Sequence, residues 1–534
     1  MPTLSRTLST CLAAALICGS VCIHAQEATQ SDLNQIISAA GGQLPSGLDP
    51  GSVQTYLDGV AAYIYGYPLV AIGMTERVST NVADPMQQLG RAPINQLYRA
   101  QKLPVGSTYK DVVLPSTTTM YATGFYNLEA EPLILHIPAI SSNRFFIVQL
   151  LDGWTNVSRR SPGSRLSSIT PGDYALVGPG WKDDLPGGLA GVIHFDTNTV
   201  WQIMRVLTTG TDDDQSAVYN QIFKPLIPVP LSEFIEHGTD YTPPVLPVNP
   251  SIDGVTQPIK QVDSMDACGF FGTMSAMMMS NPPRTIDAGI VPILQRLGII
   301  GTADKPAQFS CSMYTPETRS KEIALQLAVL TGKRILASPP DQALTKTNWS
   351  VSLDVGDYGI HYLLRAEVAK YAIGANRPQD AVYGYGLHDS VGANDDHLLY
   401  GTNNYVVHFK APTAKKLALE IPPVDGNGFW SITMYNINGT LVDNSGASYH
   451  ALATNGKQPR EVEAHFSCPN TDGSLDVYVQ SKPPSGAQAL CNWLESPQPT
   501  ADNPKAQFIL FLRMYWPDAA ITNGQWYPPG VDPN

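Results

Sequence analysis

No stretch of the chain is rich in basic residues, and 33 Lys plus Arg stand against 46 Asp plus Glu, a formal net charge of −13. Nucleic acid and anionic membrane are poor partners for such a surface, because both would be approached against repulsion. Beyond the amino terminus, no segment reaches the roughly 18 uninterrupted apolar residues that a membrane-crossing helix needs. The glycine fingerprint of dinucleotide sites, the P-loop and a regular strand–helix alternation are all missing, which disfavours a doubly wound α/β sheet. A Gly-x-Ser-x-Gly elbow is missing too, so serine hydrolase chemistry has no support. Cysteine is scarce at seven residues, three of them ahead of Gln26.

Those three lie in a stretch with one positive charge, Arg6, an apolar run from Leu12 to Cys18, and Ile23-His24-Ala25 before Gln26. That order is the order of a cleavable secretory signal, so residues 1–25 are expected to be a signal peptide and 26–50 a polar tail. The protein is then exported, periplasmic or secreted. Cys268, Cys311, Cys468 and Cys491 remain for an oxidising compartment. Proximity favours Cys268–Cys311 and Cys468–Cys491 among the three pairings, with free buried thiols as the alternative.

The strongest internal pattern is a repeat. Tyr121, Phe125, Leu133, Leu135, Ile137, Pro138, Asn143 and Phe145 recur as Tyr405, Phe409, Leu417, Leu419, Ile421, Pro422, Asn427 and Phe429, a constant offset of 284 residues (121 to 405). The matches fall largely on alternate positions, as strands require, and predict that 118–152 and 402–436 share one strand topology. On that offset Asp152 meets Asn436, His136 meets Glu420 and Gly124 meets His408.

Helical spacing runs from Val53 to Val78, where Pro68 is expected to kink or break the helix, and again over Ser320–Leu336 and His361–Ala375. Strands are expected at Leu133–Ile137, Arg144–Leu151, Tyr174–Val177, Val192–Phe195, Tyr405–Phe409, Leu417–Ile421, Phe429–Tyr435, Leu475–Val479 and Phe508–Met514, with Arg377–Asn394 as a loop. Gly and Pro, 44 each, suit loop-rich β-domains. The pattern divides the chain into a β-domain with a leading helix at 51–212, a helical connection at 213–350 and a second β-domain at 351–534.

Several segments resemble known domains. Tyr63-Ile-Tyr-Gly-Tyr-Pro-Leu, Pro115-Ser-Thr-Thr-Thr-Met-Tyr121, Arg144-Phe-Phe-Ile-Val-Gln-Leu-Leu-Asp152-Gly-Trp, Gly163-Ser-Arg165 and Val177-Gly-Pro-Gly-Trp181 are similar to the bacterial DUF1254 domain. Gly428-Phe-Trp-Ser-Ile-Thr-Met-Tyr435, Asp472-Gly-Ser474, Asn492-Trp-Leu494, Leu512-Arg-Met-Tyr515, Pro517 and Trp526-Tyr-Pro-Pro529 are similar to its companion DUF1214. The resemblance implies a mainly β, multidomain α+β fold, with two related β-sandwich or jelly-roll-like domains joined by a helical region. It implies no reaction. The chain departs from the family pattern with Ser116 and Thr118 where Asn and Asp are usual, and with Asn444-Ser-Gly-Ala-Ser448-Tyr449 lacking an arginine.

Two clusters could carry chemistry. His388-Asp389 and Asp395-Asp396-His397 match no helix-borne metal spacing and read as a solvated loop, so no metal site is assigned. Thr118, Thr119, Tyr121, Asp152, Trp154, Arg159, Arg160 and Arg165 join carboxylate, guanidinium and aromatic faces that could hold a polar or sugar-like ligand. From these, Tyr121, Asp152, Trp154 and Arg165 are the ligand-binding candidates; the competing reading gives Asp152 to a turn, Trp154 to packing and Arg165 to a structural pair. No catalytic residue is assigned. The expected function is an exported enzyme acting on a small polar or carbohydrate-like compound without an organic cofactor, or else a noncatalytic envelope ligand-binding or assembly protein. A homo-oligomer is compatible with both.

Overall fold

The computed structural model describes residues 48–85, 90–103, 114–142, 144–167, 171–307, 309–310, 318–337, 344–437, 439–442, 451–454, 464–466, 468–501 and 503–534. Eight strands form the first β-unit: β1 (Tyr98–Arg99), β2 (Thr119–Asn127), β3 (Leu133–Ile137), β4 (Phe146–Asp152), β5 (Gly172–Val177), β6 (Gly191–His194), β7 (Thr199–Leu207) and β8 (Pro228–Pro230). They make two sheets, β1-β2-β7-β4 and β6-β5-β3-β8. Alternation explains the packing: Met120, Ala122, Val148, Leu150, Met204 and Val206 point from the first sheet into one apolar core with Leu133, Leu135, Leu176 and Ile193 of the second.

The second unit holds β9 (Trp349–Ser352), β10 (Ala381–Gly386), β11 (Tyr405–Phe409), β12 (Val424–Asn436), β13 (Ala451–Thr454), β14 (Ala464–Phe466), β15 (Leu475–Gln480), β16 (Trp493–Glu495), β17 (Phe508–Pro517) and β18 (Val531–Pro533). Its sheets run β14-β13-β12-β17-β10-β9 and β16-β15-β11-β18. The mainly β, multidomain α+β architecture expected from the sequence is present.

The duplication is real, but its register differs from the single-offset reading. Strand for strand, β2-β7-β4 corresponds to β10-β17-β12, and β6-β5-β3-β8 to β16-β15-β11-β18. The parallel pairings β5/β6 and β15/β16 recur, as do the antiparallel partners Leu133↔Pro230 and Tyr405↔Pro533. Only β4 and β12 keep the offset of 284, with Ile147 and Ser431 each opposite an arginine, at 205 and 513. β11 corresponds to β3 instead of β2, and His136, facing Asp173, matches His408, facing Asp476, instead of Glu420. The two registers differ by an even number of residues, and an even slip leaves every side chain on its original face, so the alternating pattern cannot tell them apart.

Three further expectations are corrected. Leu417–Ile421 is no strand: Leu419 and Lys416 have positive φ (69° and 51°), and Glu420 makes only an isolated bridge to Lys410. The Arg377–Asn394 loop contains β10, whose Tyr-Gly-Tyr-Gly content hides its alternation. Helix α1 (Val53–Ser79) runs through Pro68 without the break that was one of the two expected outcomes there. Every residue from Ala62 to Ile72 is buried, and that packing outweighs the proline penalty. A Cβ on Gly66 would lie 2.3 Å from Met274 Sδ, so glycine is what lets the helix that carries Met274, in the helical layer, come this close. That layer surrounds α1 with α2 (Pro258–Ser264), α3 (Ala267–Met278), α4 (Val291–Arg296), α5 (Arg319–Ile335) and α6 (Tyr362–Tyr371).

Cys468 and Cys491 form a disulfide with Cα atoms 5.9 Å apart. Cys268 is disulfide-bonded as well; residue 311 lies outside the described residues. Asn492 already ties the same two segments, accepting from Cys468 N–H (2.7 Å) and donating to Cys468 O (2.8 Å). Replacing both Cys468 and Cys491 with alanine is therefore expected to lower stability by about 2 kcal/mol, the low end for a loop of this size, read as a urea midpoint shift without a change in slope.

Candidate functional site

The two β-units meet through the outer faces of the β2-β7-β4 and β10-β17-β12 sheets. Phe145, Ile147, Leu207, Ala381, Phe429 and Tyr515 form an apolar contact there. Phe145 lies 5.4 Å from Phe429 and 5.0 Å from Tyr515, ring to ring. Beside this contact the facing rows turn polar. Residues directly opposite on antiparallel strands share a face, and on one sheet that row is Tyr121–Arg205–Ile147. On the other it is Tyr383–Arg513–Ser431. The duplication thus places one arginine at the centre of each facing sheet.

Arg205 donates to Gln149 Oε1 (2.5 Å) and Gly374 O (3.3 Å), and its guanidinium lies 5.7 Å from the Tyr121 ring centroid. Gln149 is fixed in turn by donating to Gly374 O and Ala375 O (3.0 and 2.8 Å). Arg513, only 3% exposed, donates to Leu114 O (2.6 Å) and sits over the rings of Phe511 (4.3 Å) and Tyr435 (5.4 Å). Arg205 keeps partial exposure, as do Tyr121 and Tyr383, so solvent reaches the polar seam between the facing rows. Among the described residues neither arginine forms an ion pair with a carboxylate.

Phenols cannot neutralise them. Burial pushes Tyr435 up to about 12 and raises Tyr515 and Tyr385 further, so these rings stay protonated at neutral pH. Tyr121 Oη accepts from Ser116 N–H (2.9 Å), which leaves its own proton to donate. Tyr383 Oη is met by Asn376 Nδ2 at 2.7 Å. Around them the buried hydroxyls of Thr117, Thr119 and Ser431 have no hydrogen-bond partner among the described residues. Buried polar atoms are seldom left so.

The four sequence candidates go to three places. Tyr121 lies on this polar seam, opposite Arg205. Asp152 and Trp154 belong to the contact between the first sheet and the helical layer: Asp152 accepts from Trp154 and Asn156 N–H (2.9 and 2.8 Å) and closes its turn. Burial raises its carboxyl despite those bonds. Trp154 packs on Tyr65 with ring centroids 4.6 Å apart. Arg165 lies at the seam of the two units, donating to Pro517 O (2.6 Å) and Asp425 (2.9 Å) while its N–H and Ser164 Oγ reach Asp380 (2.8 and 2.7 Å). In the His388–His397 loop, Asp389 is engaged by Val391 N–H (2.9 Å) and by His397 (3.1 Å).

Arg205 and Tyr383 were not named from sequence, and Arg513 and Tyr515 entered only through the Leu512-Arg-Met-Tyr515 resemblance, not as site residues. The available signal was a lone charged residue, an arginine, inside a mostly apolar strand, twice over: Val-Trp-Gln-Ile-Met-Arg-Val-Leu in β7 and Phe-Ile-Leu-Phe-Leu-Arg-Met-Tyr in β17.

Comparison with known proteins places this geometry in context. A family model for DUF1254, described as a protein of unknown function, matches residues 94–224, and one for DUF1214, described likewise, matches 380–519. The crystal structure of the VPA0106 protein from Vibrio parahaemolyticus is similar at a TM-score of 0.60 and 18% identity, covering 90% of this chain and 100% of that one. That likeness shows the fold alone. A putative uncharacterized protein from Burkholderia cenocepacia aligns over 96% of this chain and 95% of its own at 10% identity and a TM-score of 0.34, too low to carry an argument. No curated protein matches.

Proposed function

We propose, for a chain that belongs to the family pairing a DUF1254 domain with a DUF1214 domain, that the protein binds a small anionic compound in the chamber between its facing sheets. The observation that carries this reading is the pair Arg205 and Arg513, enclosed between the sheets without a carboxylate among the described residues. A buried guanidinium cannot shed its proton, and leaving it without a counter-charge is expensive. An anionic ligand supplies that counter-charge and also gives the unpartnered Thr119 and Ser431 hydroxyls an acceptor.

Binding is favoured over catalysis. The described polar side chains of the chamber are arginine, tyrosine, threonine, serine, asparagine and glutamine, which orient and neutralise a ligand but include no histidine or carboxylate to move protons at neutral pH. The Cys468–Cys491 disulfide and the signal-like amino terminus support an exported protein that meets its ligand in the periplasm or outside the cell.

The test is a thermal-shift panel on the full chain, comparing small carboxylates and inorganic phosphate with neutral sugars at constant ionic strength. The anions are expected to raise Tm in the wild type and not in Arg205→Gln, with sugars inert. Stabilisation by sugars alone, or an anion response that survives Arg205→Gln, places the function elsewhere.

A further inference from the structure

Charge balance separates two arginine clusters that otherwise look alike. Between the first sheet and the helical layer, Arg284 donates to Asp287 (3.0 Å), and Arg365, fully buried, lies 3.9 Å from the same carboxylate with Asp152 also acting on both arginines. Two cations face two carboxylates, and aromatic rings close the space around Arg365. Such a cluster is balanced in charge without a ligand, although the three guanidinium nitrogens of Arg365 have no hydrogen-bond partner among the described residues. The chamber differs. Arg205 and Arg513 both act on Tyr515, with Tyr121 and Tyr383 beside them, and among the described residues neither arginine is paired with a carboxylate.

Two guanidinium groups on facing, largely buried rows are both left without a paired carboxylate among the described residues. A monoanion relieves half of this and leaves one guanidinium as it was. We propose that the natural ligand is a small dianion, a dicarboxylate or a phosphate monoester, held with its two negative charges between Arg205 of the first unit and Arg513 of the second. This rests on the anion-binding reading above.

The geometry of the chamber fits that chemistry. Each guanidinium is already aimed by a backbone carbonyl and a side chain, Gly374 O and Gln149 Oε1 for Arg205 and Leu114 O and Thr433 Oγ1 (3.4 Å) for Arg513, yet these bonds occupy only part of a five-donor fork. Arginine forks match the paired oxygens of carboxylate and phosphate groups. The free proton of Tyr121 and the Ser431 hydroxyl, which stands opposite Arg513 in register, add neutral donors to the same oxygens. Phe511 and Tyr515, 6% and 1% exposed, shield the site from water and sharpen the difference between one charge and two.

Isothermal titration of the full chain with succinate, inorganic phosphate and acetate, at pH 8 and equal low ionic strength, tests the assignment. At least one dianion is expected to bind roughly tenfold or more tighter than acetate. Preference for succinate identifies the dicarboxylate class and preference for phosphate the monoester class. Arg205→Gln and Arg513→Gln are each expected to abolish most of this preference. Arg205→Lys and Arg513→Lys, which keep the charge and are gentler on folding, are expected to retain it at lower affinity. Arg159→Gln, at an exposed position, is expected to change nothing. Equal, arginine-dependent binding of acetate and both dianions overturns the dianion assignment while leaving an anion site standing. No binding of any probe to the wild type overturns both.

Discussion

Replacing Trp154 with alanine is expected to destabilise the protein by about 3–5 kcal/mol, the range for a fully buried tryptophan. The indole has no exposure, donates through Nε1 to Pro282 O (3.0 Å), packs on Tyr65 and forms one wall around the Arg365 guanidinium at 5.1 Å. Three losses therefore coincide. The cavity remains because α1 and α6 are each held by other contacts, Pro282 O loses its donor, and Arg365, whose three guanidinium nitrogens have no hydrogen-bond partner, loses an aromatic face that offsets its burial. Trp154→Phe keeps most of the volume and a π-face and forfeits the hydrogen bond, so it should lose well under half as much. Urea denaturation of the two variants and the wild type, monitored at several wavelengths, checks this. Equal losses for Phe and Ala would mean that the Pro282 hydrogen bond, not packing, dominates. A loss of under about 1 kcal/mol for Trp154→Ala would sink the structural role assigned to the indole.

That role also shows where sequence reading stops. Tyr121, Asp152, Trp154 and Arg165 were grouped because they lie within one repeat, and nearness along the chain was the only available measure of nearness in space. In the fold, β4 runs from the inter-sheet contact at its start to the helical layer at its end, so Trp154 packs into the helical layer while Tyr121 faces the second unit beside Arg205. The partners of Tyr121 are set by pairings between strands remote in sequence, Tyr121↔Arg205 within one sheet and Tyr383↔Arg513 within the facing one. No local pattern encodes which two sheet faces will meet. Legible without coordinates were the helices at 319–335 and 362–371, most strand positions, the fact of duplication and the Cys468–Cys491 pairing, because each rests on periodicity or short-range closure. The register of the duplication was not legible, since alternation survives any even slip. Nor was the uninterrupted α1, whose proline is overruled by tertiary packing that the local sequence does not display.

Glu76→Gln is expected to make the protein more stable at pH 8 and to leave it unchanged near pH 4. Glu76, near the end of α1, is only partly exposed, and the hydroxyl of Thr199, donating at 3.3 Å, is its recorded hydrogen-bond partner. Burial raises the carboxyl from 4.5 to about 7, and the Thr199 bond offsets only a little of this. The folded state therefore holds the Glu76 proton to a higher pH than the unfolded chain does. Below pH 4.5 both states are protonated and the residue makes no difference. As pH rises from 4.5 towards 7 the unfolded chain gives up the proton first, so stability falls across that window and then levels off. At about 1.4 kcal/mol per pH unit the fall amounts to about 2–3 kcal/mol once partial solvent contact is allowed for. Glutamine, neutral at every pH and of the same shape, can accept the Thr199 hydrogen bond and escapes the fall. Urea midpoints measured for both proteins from pH 4 to 8 should coincide at the acid end and diverge progressively, with the variant higher. Parallel curves, or a variant less stable at pH 8, would show that Glu76 is ionised and compensated in the folded protein.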